Sequence, residues 1–145
     1  MANILLVDDT PDFCITLSGV LTDAGHTVQT AASEGEALTA ISKANFDFAL
    51  IDVRLHDGGE EDESGITLTW ALRALRPDLR VILLTRYIRS KQMMQALQFY
   101  GVMDFIDKNN PDYATLALKT LGDANQPQSA HWHETTHLSL SLIHI

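Results

Sequence analysis

The chain has 145 residues, of which 46% are hydrophobic and 20% charged, and it carries a formal net charge of -9. That length fits one domain with an ordinary core, and no apolar run approaches the ~20 residues of a membrane span. The charge excludes nonspecific nucleic-acid binding, which needs a basic surface, and the single cysteine, Cys14, excludes an internal disulfide. Met1-Ala2-Asn3 leads directly into a strand pattern with no basic and apolar leader, so no signal peptide and a cytoplasmic location are expected.

Strand-like and helix-like segments then alternate five times. The first strand is predicted from Asn3 to Val7. Thr10-Pro11-Asp12 reads as N-cap, first-turn proline and dipole-complementing acid. The helix it opens carries Phe13, Leu17, Val20, Leu21 and Ala24 at helical spacing and stops at Gly25. Cys14 falls in this helix as a small core residue. A short second strand spans Thr27 to Thr30. Ser33 with Glu36 forms a capping box ahead of a helix whose Ala37, Leu38 and Ile41 are expected to face inward.

Asp47 to Ile51 is the third strand, and its uniform apolarity makes it central. A third helix is predicted from about Gly65 to Leu75, a fourth strand from Arg80 to Leu84, and a fourth helix from about Ser90 to Tyr100. Val102 to Asp107 is the fifth strand, and Asn110-Pro111-Asp112 caps a fifth helix that fades at Gly122. Alternating units of this length predict a doubly wound, five-stranded parallel sheet with helices on both faces, in the flavodoxin-like order 2-1-3-4-5. The domain is expected over residues 1–122. The tail, 123–145, changes composition abruptly and reads as a disordered or vector-derived extension. Its histidines, His131, His133, His137 and His144, lack acid or cysteine partners at ligand spacing, so no metal site is assigned there.

Polar residues end four of these strands: Asp8-Asp9 after the first, Asp52 after the third, Thr85 after the fourth and Lys108 after the fifth. In a parallel α/β sheet the carboxyl ends of the strands open onto the ligand crevice. Carboxylates, a hydroxyl and an ammonium would therefore meet at one edge. Magnesium takes one or two carboxylates and fills its octahedron with water and phosphate. Asp9 and Asp52 suit direct ligation, with Asp8 orienting a bound water. Asp52 is also placed to attack a phosphoryl donor and form an acyl phosphate, with Lys108 neutralising charge and Thr85 donating to a phosphoryl oxygen. Singly, each residue has an ordinary explanation as a helix-dipole acid, a loop residue, a cap or a solvated charge. Four complementary strand ends together do not.

From Asn3 to about Leu121 the chain resembles the receiver domain of a two-component response regulator. The resemblance matches Asp8 and Asp9 to the family's acidic pair, Asp52 to its phospho-accepting aspartate, Thr85 to its hydroxyl residue and Lys108 to its lysine. Phe105 matches the aromatic that switches rotamer together with Thr85. It implies a magnesium site of Asp8, Asp9, Asp52 and Arg54, and phosphotransfer from a histidine kinase or histidine phosphotransfer protein. It further implies a change on the face of the fourth helix, fifth strand and fifth helix, where an output domain or a second copy would bind. Neither direct nucleic-acid binding nor membrane association is implied, and catalysis is limited to the domain's own phosphorylation and dephosphorylation. Four departures stand out. Arg86 follows the hydroxyl residue where the family carries a small one, and Asn109 rather than proline follows the lysine. His56 replaces a proline after the phospho-acceptor, and the acidic loop from Asp57 to Glu63 is longer than usual.

Three other readings compete. A haloacid-dehalogenase phosphatase needs a second aspartate two residues past its nucleophile, and that position holds Thr10 or Arg54 instead. A flavin phosphate would meet the anionic turn Asp8-Asp9-Thr10. The remaining rival is a phosphorylation-independent pseudo-receiver, a pure interaction module, against which the retention of all five polar groups speaks.

Overall fold

A computed structural model of the protein describes residues 1–55, 63–86 and 101–124. Within them run β1 (Asn3–Val7), α1 (Pro11–Asp23), β2 (Thr27–Ala31), α2 (Glu34–Lys43) and β3 (Phe48–Asp52). They are followed by α3 (Ser64–Leu75), β4 (Arg80–Thr85), β5 (Val102–Asp107) and a C-terminal helix, α4 (Tyr113–Ala124). The last is the fifth helix of the expected order. The predicted fourth helix, His56, the acidic loop up to residue 62 and the tail from 125 lie outside the described residues.

The five strands form one parallel sheet in the order β2-β1-β3-β4-β5, as the alternation predicts. Because successive strand residues point to opposite faces, β1 sends Leu5 and Val7 into a core under α2 and α3, and Ile4 and Leu6 into a second core under α1 and α4. All five residues of β3 are buried, which its central position requires and its unbroken apolar run announces. β2 is the exposed edge, buried fully only at Ala31. β4 and β5 pair with a register shift between Val81 and Ile82.

Several local expectations are corrected. Thr10 occupies the N-cap of α1 but its side chain does not cap. Its N–H donates to Asp8 Oδ1 (2.8 Å) instead, so the turn is organised by the acid before it. Only Phe13, Leu17 and Leu21 of α1 are buried; Val20 is half-buried and Ala24 exposed. The capping box of α2 forms from Glu36 N–H to Ser33 Oγ (3.2 Å), while the Glu36 carboxylate accepts from Ala32 N–H (3.4 Å) rather than from the cap residue. On α2 the buried stripe is Ala37, Ala40 and Ile41, and Leu38 turns out to solvent. β3 is shifted one residue towards its carboxyl end, so that Asp52 belongs to the strand, and β4 extends to Thr85.

Candidate functional site

Each polar residue at the site is held by the backbone that ends its strand. Asp8 continues the β1–β2 pairing, donating its N–H to Ala31 O (3.0 Å). Its side chain is buried: Oδ1 accepts from Thr10 N–H, and Oδ2 accepts from Lys108 Nζ at 2.6 Å. Asp52 is the last residue of β3 and is 6% exposed. Its Oδ2 accepts from Lys108 Nζ at 3.2 Å and its Oδ1 from the Arg54 N–H at 3.3 Å. Asp9, beside them, is exposed. Single carboxylate oxygens of Asp8, Asp9 and Asp52 lie within 4.8 Å of one another.

Lys108, buried at the end of β5, bridges the two inner carboxylates. Its backbone N–H donates to Thr85 O (2.8 Å), which locks the end of β5 to the end of β4. Its ammonium also lies 4.4 Å from the centre of the Phe13 ring, which in turn stacks at 4.9 Å on Tyr113 of α4. One cation thus contacts two buried anions and an aromatic face.

A cavity of about 370 Å³ opens over these groups, lined by Asp9, Thr10, Pro11, Asp52, Arg54, Arg86 and Lys108. Asp8, Asp9, Asp52 and Lys108 are therefore brought together, and Thr85 joins them through its backbone O on Lys108 N–H. Asp52, Asp9, Arg54 and Lys108 line the opening, whereas Asp8 and Thr85 are buried and are not among its lining residues. Phe105, on β5, is half-buried against the core under α2 and α3.

Two buried carboxylates sharing one ammonium leave negative charge uncompensated. Burial first, and then the neighbouring Asp8 carboxylate, push the Asp52 carboxyl up from 3.8 to about 6, with Lys108 pulling the other way. A divalent cation held by oxygen ligands would relieve that repulsion, and the donor set is all carboxylate, the hard-ligand chemistry magnesium prefers. The residues fit the ion. Cys14 does not contribute: its Sγ donates to Asp8 O (3.2 Å), and burial with Asp8 nearby raises the thiol to about 11, far from a reactive thiolate.

Residues to which the sequence assigns no site role also shape the site. Ser64 Oγ accepts from Leu55 N–H (2.9 Å), and Gly65 N–H donates to Val53 O (2.9 Å), tying α3 to the segment after Asp52. A Cβ on Gly65 would stand 1.9 Å from Asp52 O, so only glycine lets the helix approach. Asn109 Nδ2 donates to Arg86 O (2.8 Å), a second lace between the ends of β4 and β5. The sequence signals were present in each case: a serine and glycine opening a helix, and an asparagine where the family has proline. None identifies its own partner.

The family model for the response regulator receiver domain matches residues 4–118. The photosynthetic apparatus regulatory protein RegA of Cereibacter sphaeroides is 29% identical over 126 residues, covering 86% of this chain and 65% of RegA. The transcriptional regulatory protein ZraR of Escherichia coli K12 is 31% identical over 106 residues, 73% of this chain but only 23% of ZraR. The chain thus spans less than two thirds of these relatives. Among solved structures, a CheY-like receiver domain protein from Methanospirillum hungatei superposes with a TM-score of 0.74 at 27% identity, covering 86% of this chain and 93% of that one. A response regulator from Burkholderia pseudomallei, solved with a phosphorylated aspartic acid, a calcium ion and citrate, does so with a TM-score of 0.73 at 27% identity, covering 96% and 75%. With this fold and four strand ends converging on one acidic pocket, the chain belongs to the response regulator receiver domains, a family of two-component signalling domains rather than of enzymes acting on separate substrates.

Proposed function

We propose that residues 1–122 form a receiver that accepts a phosphoryl group on Asp52 from a histidine kinase or histidine phosphotransfer protein. The observation that carries this reading is the position of Asp52: the end of the central strand, lining the cavity, with its carboxylate 3.2 Å from the Lys108 ammonium. An Asp52 oxygen forms a bond to phosphorus as the phosphorus–nitrogen bond of the phosphohistidine breaks, and the electron pair leaves with the imidazole. The Lys108 ammonium compensates the negative charge passed to Asp52. Asp9 and Asp52 would hold a magnesium ion, with Asp8 behind them and Arg54 at the border. When bound, the ion neutralises charge on the transferring group.

Thr85 and Phe105 act as the switch. Once Asp52 carries a phosphoryl dianion, the Thr85 hydroxyl donates to it, and Phe105, half-buried on β5 and paired with Leu83 two residues before Thr85, repacks the surface of β5 and α4. That surface would pass the signal to an output domain or a second copy; relatives such as ZraR are transcriptional regulators of which this domain covers a fraction. A cytoplasmic site of action agrees with the described helices, none of which is long and apolar enough to cross a membrane.

Intact-mass spectrometry after acetyl phosphate treatment tests the assignment. One added phosphoryl group is expected, dependent on magnesium and absent in Asp52→Asn. A label that survives in that variant would refute it.

A further inference from the structure

The residue after Thr85 is where the cavity departs most from a plain acidic pocket. Arg86 is exposed and lines the opening together with Asp52, Arg54 and Lys108. Its backbone is fixed on both sides. Lys108 N–H donates to Thr85 O and Asn109 Nδ2 to Arg86 O, both at 2.8 Å, and Asn109 is itself held by its N–H donating to Asp107 Oδ1 (2.8 Å). The Arg86 side chain therefore leaves from a clamped backbone at the cavity that Asp52 also lines, unlike an arginine on a loose loop.

Charge decides what such a group can bind. Asp8, Asp9 and Asp52 face a single buried cation, Lys108, so a divalent ion would bring the inner site only to neutrality. Arg86, exposed, adds positive charge to the lining of the cavity. A phosphoryl dianion would then meet a net attraction at the mouth that the inner site alone does not provide. The planar guanidinium also presents two parallel donors matched to two phosphoryl oxygens, which an ammonium cannot do. We infer that Arg86 is a binding residue for the phosphoryl donor. It captures the terminal phosphoryl dianion of small acyl phosphates at the mouth of the Asp52 cavity, with Asn109 as the positioning residue that fixes its backbone. This rests on Asp52 being the phospho-acceptor. With acetyl phosphate the Asp52 oxygen bonds to phosphorus, the bond from phosphorus to the acetyl oxygen breaks, and acetate leaves with the electron pair.

The experiment measures the second-order rate constant of Asp52 labelling in the full chain with magnesium, using acetyl phosphate and carbamoyl phosphate, which share the phosphoryl dianion and differ in leaving group. Arg86→Ala is expected to slow both by the same factor, about tenfold, and to flatten the dependence on salt. Arg86→Lys keeps the charge and loses the fork, and should recover part of the rate. Asn109→Ala should slow labelling by a smaller factor, about threefold, with the salt dependence of the unsubstituted protein. Rates for Arg86→Ala within twofold of the unsubstituted protein, or slowing with one donor alone, overturn the role of Arg86 while leaving Asp52 as acceptor. Absent labelling of the unsubstituted protein, or labelling that persists in Asp52→Asn, overturns both.

Discussion

The two ends of the sheet use the same side chains for opposite purposes. At the amino ends of the strands, charged groups meet backbone partners or rings. Asp47 Oδ2 accepts from Asn3 N–H (2.8 Å), Arg73 Nη1 donates to Leu79 O (2.6 Å), and Arg76 Nη2 donates to Ile41 O (2.9 Å). The Arg80 guanidinium lies 4.2 Å from the centre of the Phe48 ring. At the carboxyl ends, two buried carboxylates share one ammonium beside an open cavity. The first arrangement sets strand register and asks nothing further. The second holds charge that only a bound cation or a transferred group completes, and active sites commonly keep such groups at a cost in stability.

The largest contrast is expected from removing the shared cation. Lys108→Met strands two neighbouring buried carboxylates, and breaking a buried pair by deleting one partner typically costs about 3–5 kcal/mol. Urea unfolding in a chelating buffer at pH 8 should show a loss of that order. The loss should shrink towards pH 5, because Asp52, already raised to about 6 by burial and by Asp8, takes up its proton more readily once the lysine is gone. A loss below about 1 kcal/mol at pH 8 would mean that the carboxyl end is not under the electrostatic load described.

That load was legible in the sequence to an unusual degree, since the strand-end rule is topological. Once the chain alternates strand and helix, the residues after β1, β3, β4 and β5 must share an edge, whatever their side chains do. The limits of β1 and β5 and the order of the sheet followed from the same apolar runs. Contacts made across the fold were not legible. Leu38 is more apolar than Ala40, yet the helix phase set by Ala37 and Ile41 places the alanine inside and the leucine outside. Thr10 looks like a cap until Asp8 Oδ1 takes its N–H. The need for glycine at position 65 comes from Asp52 O across the α3–β3 contact, and the role of Asn109 from Arg86 O. Apart from the α2 stripe, where the phase of the helix overrides residue hydrophobicity, each of these depends on a partner distant in sequence or on a competing local acceptor, which periodicity does not encode.

A smaller effect, opposite in sign, is expected from Asp52→Asn. The folded protein holds the Asp52 proton to about pH 6 whereas the unfolded chain releases it near 3.8, so the folded state binds more protons between those values. Stability therefore falls as pH rises through that window and stays lower above it. Asparagine removes the charge and the penalty while Lys108 keeps its 2.6 Å bond to Asp8. In chelator at pH 8 the variant should be more stable than the unsubstituted protein by about 3 kcal/mol, with the difference vanishing near pH 4. Added magnesium should narrow the gap at pH 8. An asparagine variant less stable at pH 8 would show that the ion pair with Lys108 outweighs burial.

The smallest effect belongs to the amino end. Asp47→Ala removes one hydrogen bond, from Asn3 N–H to an exposed carboxylate. The backbone bonds at the same place, Asp47 N–H to Asn3 O (2.8 Å) and Arg80 N–H to Asp47 O (3.3 Å), do not depend on the side chain and should persist. Water can replace the carboxylate at an exposed donor, so the expected loss is about 1 kcal/mol or less. Labelling of Asp52 by acetyl phosphate should proceed at the unsubstituted rate, because the substitution lies at the opposite end of β3 from the cavity. A destabilisation approaching that of Lys108→Met, or slowed labelling at full occupancy of the fold, would erase the division between the two ends. It would mean instead that the register of β1 against β3, set at Asn3 and Asp47, controls the placement of Asp8 against Asp52.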